Sequence, residues 1–267
     1  MITLSVLDLV LAGGLVFALA FVSVWARLEL ARDLVIASLR MAIQLSLISL
    51  VLKVLFAQRS FVWIFLMAVV MILVAGREVV ARQKRRLIGW AAWGIGTSSL
   101  FVSSMVVSWF ALVVLVQASP WYHPQYAIPL LGMLLGNTMN GVALSMDRLT
   151  STVWSQRELV EQRLMLGEDV KTATADIVKE SVRSGLIPIV NAMAVAGLVS
   201  LPGMMTGQML SGVPPTTAVR YQILIWFLIA AGSGFGMLIA VRLTCRQLFD
   251  QRQRLRLDAI RTDDVSR

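Results

Sequence analysis

The chain has 267 residues, 58% of them hydrophobic, and a formal net charge of +9. Several apolar runs exceed the roughly 20 residues that cross about 30 Å of hydrocarbon, which excludes an ordinary soluble domain. The runs lack the alternation of a transmembrane barrel, and Lys and Arg collect beside apolar runs as positive-inside placement requires, not on a nucleic-acid face.

The expected fold is all-α: a polytopic helical membrane protein with about seven spans. They are read at residues 4–26, 33–56, 60–81, 93–116, 126–146, 185–211 and 220–242. The transmembrane domain covers 1–242 and includes a charged segment at 147–184; a basic tail follows at 243–267. The first run lacks a basic leader region, carries Asp8 and has no clear cleavage site, so it reads as an uncleaved span. Arg77, Arg82, Lys84, Arg85 and Arg86 place the linker after the third span inside the cell. The linker 117–125 has no Lys or Arg and reads as outside. Counting from these loops puts the N-terminus outside and the C-terminus inside. The tail after Phe249 reads as a short frayed helix near anionic headgroups.

Polar residues inside the apolar runs are costly and therefore informative. Arg40 and Gln44 lie one turn apart on the second span. The fifth span holds Pro129, Gly132, Gly136, Asn137, Thr138, Asn140 and Gly141, where small residues permit close approach and amides bond across helices. The sixth holds Pro188, Asn191, Gly197, Ser200, Pro202 and Gly203, with Met204 and Met205 after them. Its two prolines favour a kink or break, and irregular backbone at that depth needs buried protein or a water-filled cavity around it. Arg40, Gln44, Asn137, Thr138, Asn140, Asn191, Ser200, Pro202, Gly203, Met204 and Met205 are the candidate lining of a substrate path. Methionine sulfur suits a soft metal, but flexible packing is the plainer reading. Cys245 and His123 stand alone in kind, and no cluster has metal-ligand spacing. No phosphate-cradling loop, catalytic triad or zinc motif is present, so no enzyme active site and no cofactor are expected in this chain.

The segment 147–184 mixes acids and bases and reads as two helices with a tight turn. Thr150 or Ser151 is the expected cap of the first helix, with Arg157 and Glu161 as an i,i+4 pair and Val153, Val160 and Leu164 near one face. Gly167 is the expected stop. Glu168 and Asp169 suit a helix start, and Val170, Ala173, Ile177, Ser181 and Val182 recur at near-helical spacing. A hairpin with its tip at Gly167–Val170, projecting from the membrane, suits docking of a soluble partner. Glu161, Leu166, Gly167, Glu168, Asp169 and Val170 are the candidate contacts.

Glu161 and Gly167, six residues apart, resemble the start of the glutamate–alanine–alanine–glycine loop that many ABC permeases insert into their ATPase, without its alanines. More broadly, the chain resembles the FetB (YbbM) family of iron-export ABC permeases, related to the plant ALS/STAR-type aluminium-tolerance permeases. The resembling pieces are Arg40-xxx-Gln44-Leu45, Pro129-Leu-Leu-Gly-Met-Leu-Leu-Gly-Asn137, Leu166-Gly167 and Gly185-Leu-Ile-Pro188. Gly197-Leu-Val-Ser-Leu-Pro-Gly-Met-Met-Thr-Gly207 and Ala218-Val-Arg-Tyr-Gln222 complete the set. The chain departs from the family pattern at Glu168–Asp169. The resemblance implies a permease subunit in the bacterial inner membrane, paired as a homodimer, with ATP bound on a separate ATPase subunit. It implies export of iron or another metal, or movement of a nucleotide sugar as in the plant relatives. An ion-coupled secondary carrier would need a deep titratable acid, for which Asp8 is the candidate; a non-transporting scaffold is the remaining alternative.

Overall fold

The computed structural model describes residues 5–58, 60–117 and 119–260. It is all-helical, and the chain divides into two compact units at residues 60 and 61. The first unit is a pair of packed helices, α1 (Val6–Trp25) and α2 (Ala31–Gln58). A capping box starts α1: the Ser5 N–H donates to Asp8 Oδ2 at 2.7 Å and the Asp8 N–H donates to Ser5 Oγ at 3.3 Å. Asp8, the candidate acid of an ion-coupled carrier, is therefore exposed and engaged at the start of α1. Both helices expose nearly all their apolar side chains, including Phe17, Phe21, Leu39 and Leu47. Without a covering such a face is unstable in water; lipid or protein must meet it.

The second unit contains α3 (Phe61–Ala81), α4 (Trp90–Phe110), α5 (Pro124–Ser155), α6 (Arg157–Met165), α7 (Val170–Ala173), α8 (Ala175–Val195), α9 (Gly203–Leu210) and α10 (Pro215–Leu248). α4 ends in a π-helical turn, Ala111–Val116. Six helices among the described residues are long and apolar enough to cross a membrane: α1, α2, α3, α4 with its π turn, α5 and α10. The span expected at 185–211 is not one helix. α8 begins at Ala175 inside the charged segment, stops at Val195, and an irregular loop precedes α9. Its apolar part, 184–195, is about 18 Å long at 1.5 Å per residue, short of the hydrocarbon thickness. Pro202 ends the irregular stretch as the N-cap of α9, while Pro188 is accommodated inside α8. Gly197, at φ +83°, donates its N–H to the Ser200 carbonyl at 2.9 Å and closes the turn.

The main core lies where α4, α5, α8 and α10 meet around Leu100, Leu134, Met146 and Met237. Gly185 of α8 faces Gly141 of α5: a Cβ on Gly185 would stand 2.8 Å from the Gly141 carbonyl oxygen. That approach explains glycine at both positions, as small residues let helix backbones meet.

A second core sits at the basic end. It joins Leu87, Ala92, Leu149, Val153, Val160, Ile177, Val241 and Leu248 to the tail residues Phe249 and Ile260. From Phe249 to Ile260 the tail is thus not a frayed helix; the rest of that expectation, at 261–267, lies outside the described residues. Phe249 pairs with Leu255, a 3-10 turn spans Leu257–Ala259, and Ile260 pairs with Leu87, with the Ile88 N–H donating to the Ala259 carbonyl at 2.8 Å. Apolar side chains spaced among the arginines pull the strap onto the core by removing their area from water.

Candidate functional site

The segment at 147–184 is continuous with the helices on either side. α5 runs past its apolar part to Ser155, and α8 rises from Ala175, so α6, the turn and α7 form the cap of an α5–α8 hairpin. Of the two expected apolar faces, Val153, Val160, Ala173, Ile177 and Ser181 are buried, and Leu164, Val170 and Val182 are partly buried against the second core. Gly167, at φ +93°, provides the stop. The Gly167 N–H donates to Leu164 O and the Glu168 N–H to Arg163 O, both at 3.1 Å. A residue with a Cβ is disfavoured at such an angle. Asp169 caps α7 by accepting from the Thr172 N–H at 2.8 Å. Hydrogen bonding by Thr172, first through its side chain and then through this N–H, holds the Asp169 carboxyl below the usual carboxylate range.

Two local expectations fail, one to a distant partner and one to nearer neighbours. Thr150 does not cap a helix; it lies within α5, and its hydroxyl donates to the Arg85 carbonyl at 2.6 Å. Arg157 meets Glu158 at 3.6 Å instead of Glu161, and its guanidinium lies 5.7 Å from the centre of the Trp154 ring, which Arg85 also approaches, at 5.0 Å. The basic linker is tied to α5 again where the Lys84 N–H donates to Asp147 Oδ1 at 2.7 Å.

The tip beyond these anchors is open. Met165 is 79% exposed and Leu166 84%, the pair standing out from a cap whose inner face is dry. Beside them lies an open groove of about 740 Å³, with Glu161, Leu164, Met165 and Glu168 on the hairpin side and Arg252 and Arg254 on the tail side. All six candidate docking residues, from Glu161 and Leu166 through Gly167, Glu168, Asp169 and Val170, therefore occupy this one tip.

The candidate path residues are not gathered in the same way. Arg40 and Gln44 are exposed on α2, within the first unit. On α5, the Asn137 amide donates to the Met133 carbonyl of its own helix at 2.9 Å. Thr138 is fully buried, its hydroxyl 3.4 Å from that of Ser233 on α10. Asn140 is exposed and accepts from Arg82 of the basic linker. Asn191 and Ser200 are exposed, Pro202 and Gly203 start α9, Met204 packs partly against the main core and Met205 is buried. No hydrogen bond joins any two of Asn137, Asn140 and Asn191 among the described residues. None of the described residues forms a group of three or more His, Cys, Asp or Glu suited to a metal ion.

Sequence reasoning missed a hydroxyl seam. Ser99, Ser103, Ser104 and Ser108 of α4 are buried, and Ser103 packs where Gly236 of α10 and Thr138 of α5 converge. The available signal was the i,i+4 spacing of Ser99 with Ser103 and of Ser104 with Ser108, which puts the members of each pair side by side on the helix.

Comparison with known proteins fits this architecture. The model of an uncharacterised protein family, UPF0014, matches residues 6–249. A UPF0014 membrane protein of Synechocystis sp. is 38% identical over 247 residues, covering 91% of this chain and 93% of its own. The probable iron export permease protein FetB of Escherichia coli is 32% identical over 249 residues, 93% of both chains. Protein ALUMINUM SENSITIVE 3 of Arabidopsis thaliana is 30% identical over 236 residues, covering 88% of this chain and 84% of its own. No solved structure matches. A multi-pass, all-helical membrane protein that aligns with these relatives over nearly its whole length belongs to the UPF0014 family.

Proposed function

We propose that this chain is the permease subunit of an ABC transporter, which exports iron or another metal from the cytoplasm using a separate ATPase subunit. The observation that carries the reading is the exposed tip Met165–Leu166–Gly167 on a cap formed by the continuation of α5 and α8 themselves. A force applied at that tip passes directly into two helices packed at the Gly141–Gly185 contact, and α8 ends at the irregular Ala196–Pro202 turn. Two copies form the path, each docking one ATPase on the cytoplasmic side. ATP binding closes the ATPase pair, moves the tips, and shifts α8 against the 196–202 turn. In this account the α8–α9 stretch supplies the seventh, broken crossing, with the N-terminus outside.

The relatives support transport: one is named a probable iron export permease. The candidate path side chains, apart from Arg40, are neutral amides, hydroxyls and thioethers. Such a lining suits a ferrous ion that keeps part of its water, or a chelate, because neither needs a charged ligand from the protein. The same neutral chemistry favours the second reading, a nucleotide sugar or another small polar solute.

The tip is tested by Leu166→Asp and Glu168→Arg in the purified complex. Both are expected to release the ATPase or to abolish permease-dependent ATP turnover. Unchanged complex formation together with unchanged turnover refutes docking at the tip.

A further inference from the structure

The C-terminal turn is built with a precision that a loose basic tail does not require. Asp250 Oδ1 accepts from the Arg252 and Arg254 N–H groups, both at 2.8 Å, and the Asp250 N–H donates to Arg254 O at 3.0 Å. Gln253 at its apex takes φ +60°, a conformation uncommon for a residue with a side chain. There Gln253 Oε1 accepts from the Val170 N–H at 3.2 Å, one of the donors at the start of α7 that has no partner within its own helix. The base of the turn is anchored by Phe249, which is buried in the second core, with Leu255 packed against it. The turn and the hairpin tip are therefore held in register by a hydrogen bond and a common apolar base.

Between them runs the groove described above, and its walls carry opposite charge. Glu161 and Glu168 have no cation within ion-pair distance among the described residues. Arg254 reaches only Asp250, at 3.9 Å and largely exposed, a contact of little strength. No ion pair crosses the groove among the described residues. Leu164 and Leu255 supply apolar lining, and Met165 and Leu166 stand exposed at the tip.

We propose that the turn Asp250–Leu255 is a second docking element, so that the ATPase is gripped between the hairpin tip and the C-terminal turn. This rests on the permease reading above. The segment received is an apolar residue of the ATPase flanked by a basic residue facing Glu161 and Glu168 and an acidic residue facing Arg252 and Arg254. Charge complementarity of this kind fixes register and excludes wrong partners. An anionic membrane surface fits less well, because the carboxylates of the hairpin wall would repel it.

The test places the full chain in nanodiscs of neutral lipid and measures the Kd for its separately purified cognate ATPase. Arg252→Glu with Arg254→Glu is expected to weaken binding at least about 10-fold, one decade per 1.4 kcal/mol, while the protein stays monodisperse, since both side chains are exposed. Gln253→Ala, which unties the turn from Val170, is expected to weaken it less. Wild-type affinity in the double variant, with binding lost in Leu166→Asp, overturns the second element and leaves the permease reading standing. Failure of the wild-type chain to bind overturns both. An effect of the double variant seen only when anionic lipid is added overturns the proposal in favour of a headgroup contact.

Discussion

Gly185→Ala tests how closely α8 must approach α5 for the hairpin to act as one body. The added Cβ would stand 2.8 Å from the Gly141 carbonyl oxygen and 3.1 Å from Ser145 Cβ, and would collide with Met237 Sδ. The methionine can move, but a helix carbonyl cannot without displacing its helix. Overpacking of this kind costs about 1–3 kcal/mol, offset by about 0.5–1 kcal/mol because alanine suits a helix interior better than glycine. A net loss of about 1–2 kcal/mol lowers Tm by roughly 2–8 °C at about 2–4 °C per kcal/mol. Gly136→Ala on α5 is the control: nothing lies within 4 Å of its Cβ, so the same exchange gains the helix term alone and raises Tm by about 1–4 °C. The assay is thermal unfolding of the detergent-solubilised protein, followed by the fraction that stays monodisperse. Equal Tm values for wild type and Gly185→Ala would refute the close approach, and with it the rigid link from tip to membrane helices.

Thr138→Val and Ser233→Ala each leave a buried hydroxyl without its partner and are expected to cost about 1–3 kcal/mol singly; the double variant should cost less than their sum, checked by a double-mutant cycle in thermal stability. Asp169→Ala removes the α7 cap and should speed hydrogen exchange at the Thr172 amide. Because the folded carboxyl sits below its unfolded value, its contribution is present above the unfolded pKa and is lost as pH falls through the folded one. Protection of the Thr172 amide, corrected for intrinsic rate, should therefore drop on acidification, and Asp169→Asn should remove most of that pH dependence. Gly167→Val, which forces a β-branched residue to φ +93°, is expected to loosen the tip and reduce ATPase affinity without affecting insertion into the membrane.

The hairpin tip was legible because its signals are local. Gly167 as a stop, Asp169 at a helix start and the helical spacing of Val160, Ala173, Ile177 and Ser181 depend on neighbours a few residues away. Features that failed to read depend on distant partners. The Thr150 hydroxyl is taken by a carbonyl 65 residues earlier. Phe249, Leu255 and Ile260 are diluted among arginines, and their burial is visible only once Leu87, Val153 and Leu248 are brought to them. A kink or break at Pro202 was legible from the proline itself; that α8 ends outright at Val195 was not, because hydropathy treats the run as continuous. The candidate path was least legible: amides at Asn137 and Asn140 look alike in sequence, yet one turns to its own helix and the other to Arg82.

The central claim is ATP-driven movement of iron through this chain, and ATP-dependent accumulation of ferrous ion in inverted vesicles holding the chain and its ATPase tests it most directly. The account predicts uptake that requires ATP, fails with Leu166→Asp, and falls when Asn137→Leu alters the proposed lining. ATP turnover that depends on the permease but moves no iron would contradict the substrate; uptake that persists without ATP or ATPase would contradict the mechanism itself.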